Sequence, residues 1–290
     1  ELRAVLAAAG WTPGDRVVLA GDLVAKGPDS QAVVAFAREE GALAVLGNHD
    51  AHVLRVREAR KKGDEATLAK VAAIGYREVE FAGYPNVPPQ QVRAVLDRNG
   101  LAGVSGHVEF KAISAELSKA LDTAHAIGQT YLVCPFIDES MRTPDGWKRV
   151  TDTFNRTGEE CKKAGIQFAY HNHDFEFKAE NGQMPYDIIL NNTDPKLVKM
   201  EMDLFWTVKG RQDPLTYFNR FPGRFCLVHV KDMKQNGEMT EVGNGSIDFK
   251  KIFAQSEKAG IQHYFVEHDQ PKDPLESIKA SYEYLRKLRY

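Results

Sequence analysis

"FCLVHVKD", residues 225–232, is an apolar run of strand length that finishes in a histidine, a lysine and an aspartate. Three other stretches share that build: "QFAYHNH" (167–173), "VKMEMDLF" (198–205) and "YFVEHD" (264–269). An apolar body suits a buried parallel strand, and a polar C-terminal end is where an α/β barrel gathers its active site. Working outward, "QTYLVCPF" (129–136), "AGVSGHVEF" (102–110) and "YREVEFA" (76–82) read as further strands. Helix-length segments lie between them: "ATLAKVAAIG" before the strand at 76, "SAELSKALDTAHAIG" before 129, "DGWKRVTDTFNRTGEECKKAG" before 167. Each closes on a glycine, as expected where a left-handed residue ends a helix. The alternation predicts a TIM-type (β/α)8 barrel. From Tyr76 onward only seven strands can be read, and a barrel takes eight. "DRVVLAGDLV" (15–24) and "ALAVLGN" (42–48) are the remaining candidates, so the eighth comes from the first 65 residues or is absent.

At 290 residues the chain can bury one large core or two modest ones. A formal net charge of −2 gives no electrostatic reason to expect nucleic acid or an anionic membrane as partner. The longest apolar runs are strand-sized, far short of a bilayer span. Cys134, Cys161 and Cys226 lack CxxC spacing and are odd in number, which points to a reduced, cytoplasmic protein. A chain that begins at Glu1 rather than Met is compatible with a removed leader. There is no internal repeat; the charged stretch "RVREARKKGDE" (55–65) reads as a solvated helix end.

The N-terminal residues carry a different pattern. "GDLVAKGPDS" (21–30) followed by "GNHD" (47–50) resembles the calcineurin-like metallophosphoesterases, notably the diadenosine tetraphosphatase branch. That resemblance implies that Asp22 would bridge two metal ions, Asn48 would bind one and His49 would assist the leaving group. Two ions can clamp both the attacking and the departing oxygen. The family's Asp-x-His strand and its later histidine motifs have no counterpart here. Residues 1–65 therefore read as a βαβ fragment with vestigial motifs. Residues 42–50 are the candidate for the first barrel strand, and 1–40 for an appended helix, strand and helix.

From Thr67 onward the chain resembles the sugar phosphate isomerase/epimerase family of xylose isomerase-like barrels. The residues that carry this are "VAAIGYREVEFAGY", "AYHNHDFEF", "EMDLFWTVKG", "LVHVKDM", "EVGNGSIDF" and "YFVEHD", in family order. The family's own first strand is missing, and the phosphoesterase-like residues stand in its place. Taken alone, Glu176, Asp203, His229 and Glu267 offer three carboxylates and one imidazole at strand ends. Such a set suits one divalent cation, Mn²⁺ or Mg²⁺, with Zn²⁺ or Co²⁺ as further candidates. The resemblance implies a Glu, Asp, His, Glu ligand set on successive strands. Asp203, His229 and Glu267 carry over directly. The first ligand is open: His171 stands where relatives carry glutamate, and Glu176 lies five residues later. Glu176 is the preferred ligand, with His171 beside it as a proton-handling group.

The implied reaction is proton abstraction next to the carbonyl of a sugar or keto-sugar, with Glu176 (or His171) and Glu267 on opposite faces. Return of the proton to the same carbon epimerises, and return to its neighbour isomerises. Lys231 and Asp232 are expected beside the metal. His107, His173 and Trp206 are candidates for substrate contact, against duller readings as a core histidine, a backbone hydrogen bond and a rim plug. The "GNG" turn at 243–245 is a weak candidate for a phosphate contact. Other readings are a phosphoesterase working through Asp22, Asn48 and His49, an endonuclease of abasic DNA, disfavoured by the charge, and a chimeric barrel without activity. A homo-oligomer is compatible with all of them.

Overall fold

The computed structural model describes residues 18–20, 43–45, 65–84, 87–179 and 182–290. Its elements fall into two compact units, the first two strands in one and every element from Glu65 onward in the other. In the first unit β1 (Val18–Ala20) pairs in parallel with β2 (Leu43–Val45), with Val18 opposite Leu43. β2 falls within 42–50, the stretch expected to supply the first barrel strand, and its described partner is β1. Asp22, Asn48 and His49 lie outside the described residues.

The second unit alternates strands with helices. Its strands are β3 (Glu78–Phe81), β4 (Ala102–Gly106), β5 (Tyr131–Cys134), β6 (Gln167–His171), β7 (Val198–Asp203), β8 (Phe225–Val230) and β11 (His263–Val266). A short hairpin of β9 (Asp232–Met233) and β10 (Met239–Thr240) follows β8. The helices are α1 (Glu65–Ile74), α2 (Pro89–Arg98), α3 (Phe110–Ala115), α4 (Leu117–Ile127), α5 (Pro144–Lys163), α6 (Pro185–Asn192), α7 (Leu204–Lys209), α8 (Pro214–Arg220), α9 (Phe249–Phe253), α10 (Ser256–Ala259) and α11 (Pro274–Leu285). Strands β5, β6, β7, β8 and β11 form one parallel sheet in that order. β3 and β4 pair in parallel, and a bridge between His107 and Val133 carries the curl on to β5. This is the α/β barrel expected from the sequence. Its two edges are β3 and β11. Among the described residues neither pairs with a further strand, and His263 Nδ1 meets Glu78 Oε2 across them at 2.8 Å.

Two cores follow from the period-two alternation of the strands. The larger lies between sheet and helices and holds Phe168, Tyr170, Met200, Met202, Val228 and Val230. The smaller lies inside the curl and holds Val104, Tyr131, Val133, Ala169, Leu227 and Phe265. Helix α5 shows how sequence builds the outer layer. Thr143 caps it by accepting from Gly146 N, Pro144 opens it, and Trp147, Val150, Phe154, Thr157 and Cys161 recur at three- and four-residue steps on the buried face. All three cysteines are free and buried.

Candidate metal centre

Strand parity decides which side chains reach the interior. On β8, Leu227 belongs to the inner cluster while Val228 and Val230 belong to the outer one. A step of two from Leu227 reaches His229, and another reaches Lys231. The same parity links Ala169 to His171 on β6 and Phe265 to Glu267 after β11. On β7 it sends Met200 and Met202 outward and leaves Glu201 and Asp203 for the interior. The interior is thus stacked, apolar below and ionisable above, as barrel interiors are built in layers.

The upper layer brings together His171, Asp203, His229 and Glu267, with one ligand atom from each within 4.8 Å of all the others. His171 Nε2 lies 3.4 Å from Asp203 Oδ2, and His229 Nδ1 lies 2.8 Å from Glu267 Oε2 and 3.8 Å from Asp203 Oδ2. Asp203 also opens α7: its Oδ1 accepts from Trp206 N at 2.9 Å, which leaves Oδ2 for the cluster. Asn172 ties the junction, accepting from Asp203 N through Oδ1 and donating to Thr207 Oγ1 through Nδ2. Asp203 Oδ2, His229 Nδ1 and both ring nitrogens of His171 are buried without a hydrogen-bond partner. Around Asp203 Oδ2, His229 Nδ1 and His171 Nε2 the neighbours stand at ion-pair distance but off the hydrogen-bond direction, which is how ligand atoms look when they face a common point. Each orphaned group would cost about 1–3 kcal/mol, and a divalent cation would remove that cost for Asp203 Oδ2, His229 Nδ1 and one ring nitrogen of His171. The residues therefore fit a cation.

Beneath it lies a second layer, Glu80, His107, Glu201 and again His229. His229 Nε2 is 2.6 Å from Glu80 Oε1 and 3.3 Å from Glu201 Oε2. His107 Nε2 stands between the same two carboxylates, at 3.1 and 3.0 Å. Burial works to lower the His107 pKa, but its hydrogen bonds to Glu201 and Glu80 outweigh it and raise the value to about 9. For Glu80 burial pulls upward, yet the neighbouring His229 and His107 hold the carboxyl well below its ordinary range. Glu80 and Glu201 escaped the sequence reading. The available signal was parity, since Glu201 stands two residues before Asp203. Both residues sit at register shifts, between Val79 and Glu80 and between Met200 and Glu201. Such irregularities re-aim side chains near sites.

The remaining candidates divide. Lys231 reaches the upper layer, with Nζ 3.0 Å from Asp203 Oδ2, 2.6 Å from Glu267 Oε2 and 2.9 Å from Asp269 Oδ1. Burial opposes its charge, but Asp203 and Glu267 hold its pKa above the ordinary value. His173 sits next to His171 and Trp206, ring centroids 4.9 and 5.6 Å apart. Burial and the nearby His171 lower its pKa to about 3. His173 Nδ1 and Trp206 Nε1 are buried and unpartnered. Glu176, the preferred first ligand, is not brought to the cluster. The 3-10 turn Phe175–Phe177 folds it back toward the outward-facing Tyr170, whose hydroxyl donates to Oε1, while His173 N donates to Oε2 at 2.9 Å. Burial raises the Glu176 pKa to about 7. His171 occupies the strand-end position instead. Asp232 is a loop anchor: its carboxylate accepts from Met233, Gly243, Gly245 and Ile247 N at 2.8–3.2 Å. The backbone N–H groups of Gly243 and Gly245, considered for a phosphate, are thereby taken.

The sequence profile of the xylose isomerase-like TIM barrels matches residues 68–288. The chain belongs to this family. A calcineurin-like phosphoesterase profile also matches residues 2–87. Among proteins similar to this xylose isomerase-like barrel is the inosose dehydratase of Lacticaseibacillus casei. It is 26% identical over 265 residues, covering 77% of this chain and 87% of that protein. A crystal structure of a sugar phosphate isomerase/epimerase from Parabacteroides distasonis ATCC 8503 superposes with a TM-score of 0.69 at 31% identity. It covers 80% of this chain and 94% of that one. The crystal structure of the IolI protein with a bound zinc atom has a TM-score of 0.65 at 14% identity, over 80% of this chain and 95% of that one. At that identity the likeness speaks for the fold alone. Among the described residues no helix is long and apolar enough to cross a membrane.

Proposed function

We propose that this xylose isomerase-like barrel is a sugar-modifying enzyme that holds one divalent cation through His171, Asp203, His229 and Glu267. The reading rests on one observation: four side chains from the ends of β6, β7, β8 and β11 converge, and the facing atoms of three of them, His171, Asp203 and His229, are buried without a hydrogen-bond partner. Two imidazoles with two carboxylates favour Mn²⁺, Zn²⁺ or Co²⁺ over Mg²⁺, which prefers oxygen donors. Once bound, the cation supplies Lewis-acid polarisation of a carbonyl oxygen. The reaction is abstraction of the proton beside that carbonyl, in a keto-sugar or keto-cyclitol.

The side chains divide the remaining work. The Lys231 ammonium, fixed by three carboxylates, donates toward the oxygen on which negative charge develops. His173, kept neutral by burial, accepts a hydrogen bond from a substrate hydroxyl at Nδ1, and the proton from carbon passes to the Glu267 carboxylate. Trp206 lends its indole face to the C–H side of the sugar ring and Nε1 to a hydroxyl. Returning the proton gives isomerisation or epimerisation. Expelling a neighbouring hydroxyl gives dehydration instead, and the dehydratase relatives favour that second outcome. Both begin with the same C–H cleavage, so one assay reads both. Incubation of the cation-loaded chain with a panel of keto-sugars and inososes in D₂O should place deuterium beside the carbonyl, with or without loss of water by mass. Glu267→Gln should reduce the exchange by at least a hundredfold. A cation-loaded chain that exchanges no hydrogen in any member of the panel would refute the reading.

A further inference from the structure

His229 belongs to both ionisable layers, through a different ring nitrogen in each. To ligate a cation the His229 imidazole must be neutral, and a neutral imidazole has one N–H and one lone pair, so in that form its two nitrogens take opposite roles. At Nε2 the contact with Glu80 Oε1 is 2.6 Å and has hydrogen-bond geometry. At Nδ1 the nearest oxygen, Glu267 Oε2, is 2.8 Å away without that geometry, and Nδ1 has no hydrogen-bond partner. The proton thus belongs on Nε2 and the lone pair on Nδ1, facing the upper layer. We propose that Glu80 and Glu201 are positioning residues, which hold the His229 proton on Nε2 so that Nδ1 is presented to the cation.

Glu80 is itself held for this task. Ser105 Oγ donates to its Oε2 at 2.5 Å, and Ser105 O in turn accepts from Gln129 Nε2 at 2.8 Å. His107, ring-stacked on His229 with centroids 5.7 Å apart, lies between Glu80 and Glu201 and sets their spacing. The lower layer pairs its two carboxylates with two imidazoles and leaves only Glu201 Oε1 without a hydrogen bond, while the upper layer carries three orphaned ring nitrogens and the orphaned Asp203 Oδ2. That contrast assigns the cation to the upper layer alone. A carboxylate behind a ligating histidine fixes its tautomer and raises its basicity, and losing such a partner costs roughly 10–100-fold in metal affinity.

The inference rests on the cation reading above, and titration calorimetry of the full chain with Zn²⁺ or Mn²⁺ separates the two. Wild type should bind one ion, and Glu80→Gln, which keeps the shape and removes the charge, should bind it at least tenfold more weakly. Glu201→Gln should weaken it in the same direction by less, since Glu201 stands further from Nε2. Ser105→Ala, which leaves every ionisable group in place, should cost a few fold and serves if Glu80→Gln fails to fold. Co²⁺ loaded into Glu80→Gln should show a shifted d–d absorption band, which a merely structural role would not produce. A wild type that binds no ion ends the functional reading itself. One ion bound with equal affinity by wild type, Glu80→Gln and Ser105→Ala would overturn the positioning role. So would two ions in wild type with one lost in Glu80→Gln, since Glu80 would then be a ligand.

Discussion

Glu176 was the favoured ligand, and the reason it stands elsewhere is local. Tyr170 and His171 are consecutive on β6 and so point to opposite faces, Tyr170 into the helix-side core and His171 into the barrel. Glu176 follows the short turn to the tyrosine side, where it is fully buried. There its pKa rises from an ordinary 4.5 to about 7, mainly because burial penalises the charge. A folded-state pKa raised above the unfolded one means that the native state holds the proton longer. The stabilisation is complete below pH 4.5 and lost as pH rises through 7. A shift of this size corresponds to about 3 kcal/mol over the whole window. Melting temperatures measured from pH 4.5 to 8 should therefore fall more steeply for wild type than for Glu176→Gln. Parallel profiles for the two proteins would contradict this account of the residue.

Among the elements, the segment after β8 shows how one side chain organises a loop next to the centre. Gly243 has φ +96°, and a Cβ on Gly245 would stand 2.2 Å from Asp232 Oδ1, so both positions need glycine. Their N–H groups then close around the Asp232 carboxylate together with those of Met233 and Ile247. Hydrogen bonds to a charged acceptor are the stronger kind. Removing the acceptor strands four donors at once, and Asp232→Ala should destabilise the protein by roughly 3–5 kcal/mol. Asp232→Asn retains a single acceptor oxygen and should fall between. Urea titration followed by circular dichroism measures both. Asp232→Ala with an unchanged midpoint would mean that the loop is held by something else. The sequence reading placed Asp232 beside the metal from its spacing to His229. Spacing along a strand does not reveal that the chain leaves the sheet at Lys231.

For the molecule as a whole, the cation would connect what the sheet leaves separate. His171, Asp203, His229 and Glu267 come from four successive strands of the curl, ending at the β11 edge. A ligand that binds only the folded chain stabilises it by mass action, about 2.7 kcal/mol at a hundredfold excess over Kd. Mn²⁺ or Zn²⁺ should thus raise the melting temperature, and EDTA should return it to the cation-free value. The effect has a direction in pH. Burial alone would lower the His229 pKa, but Glu201, Glu267 and Glu80 raise it well above 6.5. To bind a cation His229 must give up a proton, so affinity rises with pH and falls as the buffer is acidified. Calorimetry at pH 6, 7 and 8 should show apparent Kd falling across the series, by up to about tenfold per unit. A Kd that is flat in pH would remove His229 from the ligand set.

The primary sequence alone settled the barrel, because apolar runs with polar C-terminal ends depend only on strand parity and on the short loops that connect them. It also settled Asp203, His229 and Glu267 as a convergent set, since each closes a strand of recognisable length and the same end of every parallel strand meets at one mouth. Tertiary structure decided which of His171 and Glu176 reaches the cluster, because the direction of a turn after a strand follows from what packs on either side of it. It also revealed Glu80 and Glu201, whose neighbours in space are 149 and 28 residues away along the chain at His229. Charges that balance one another only across strands leave no local pattern, and the curl that brings them together is a property of the whole sheet.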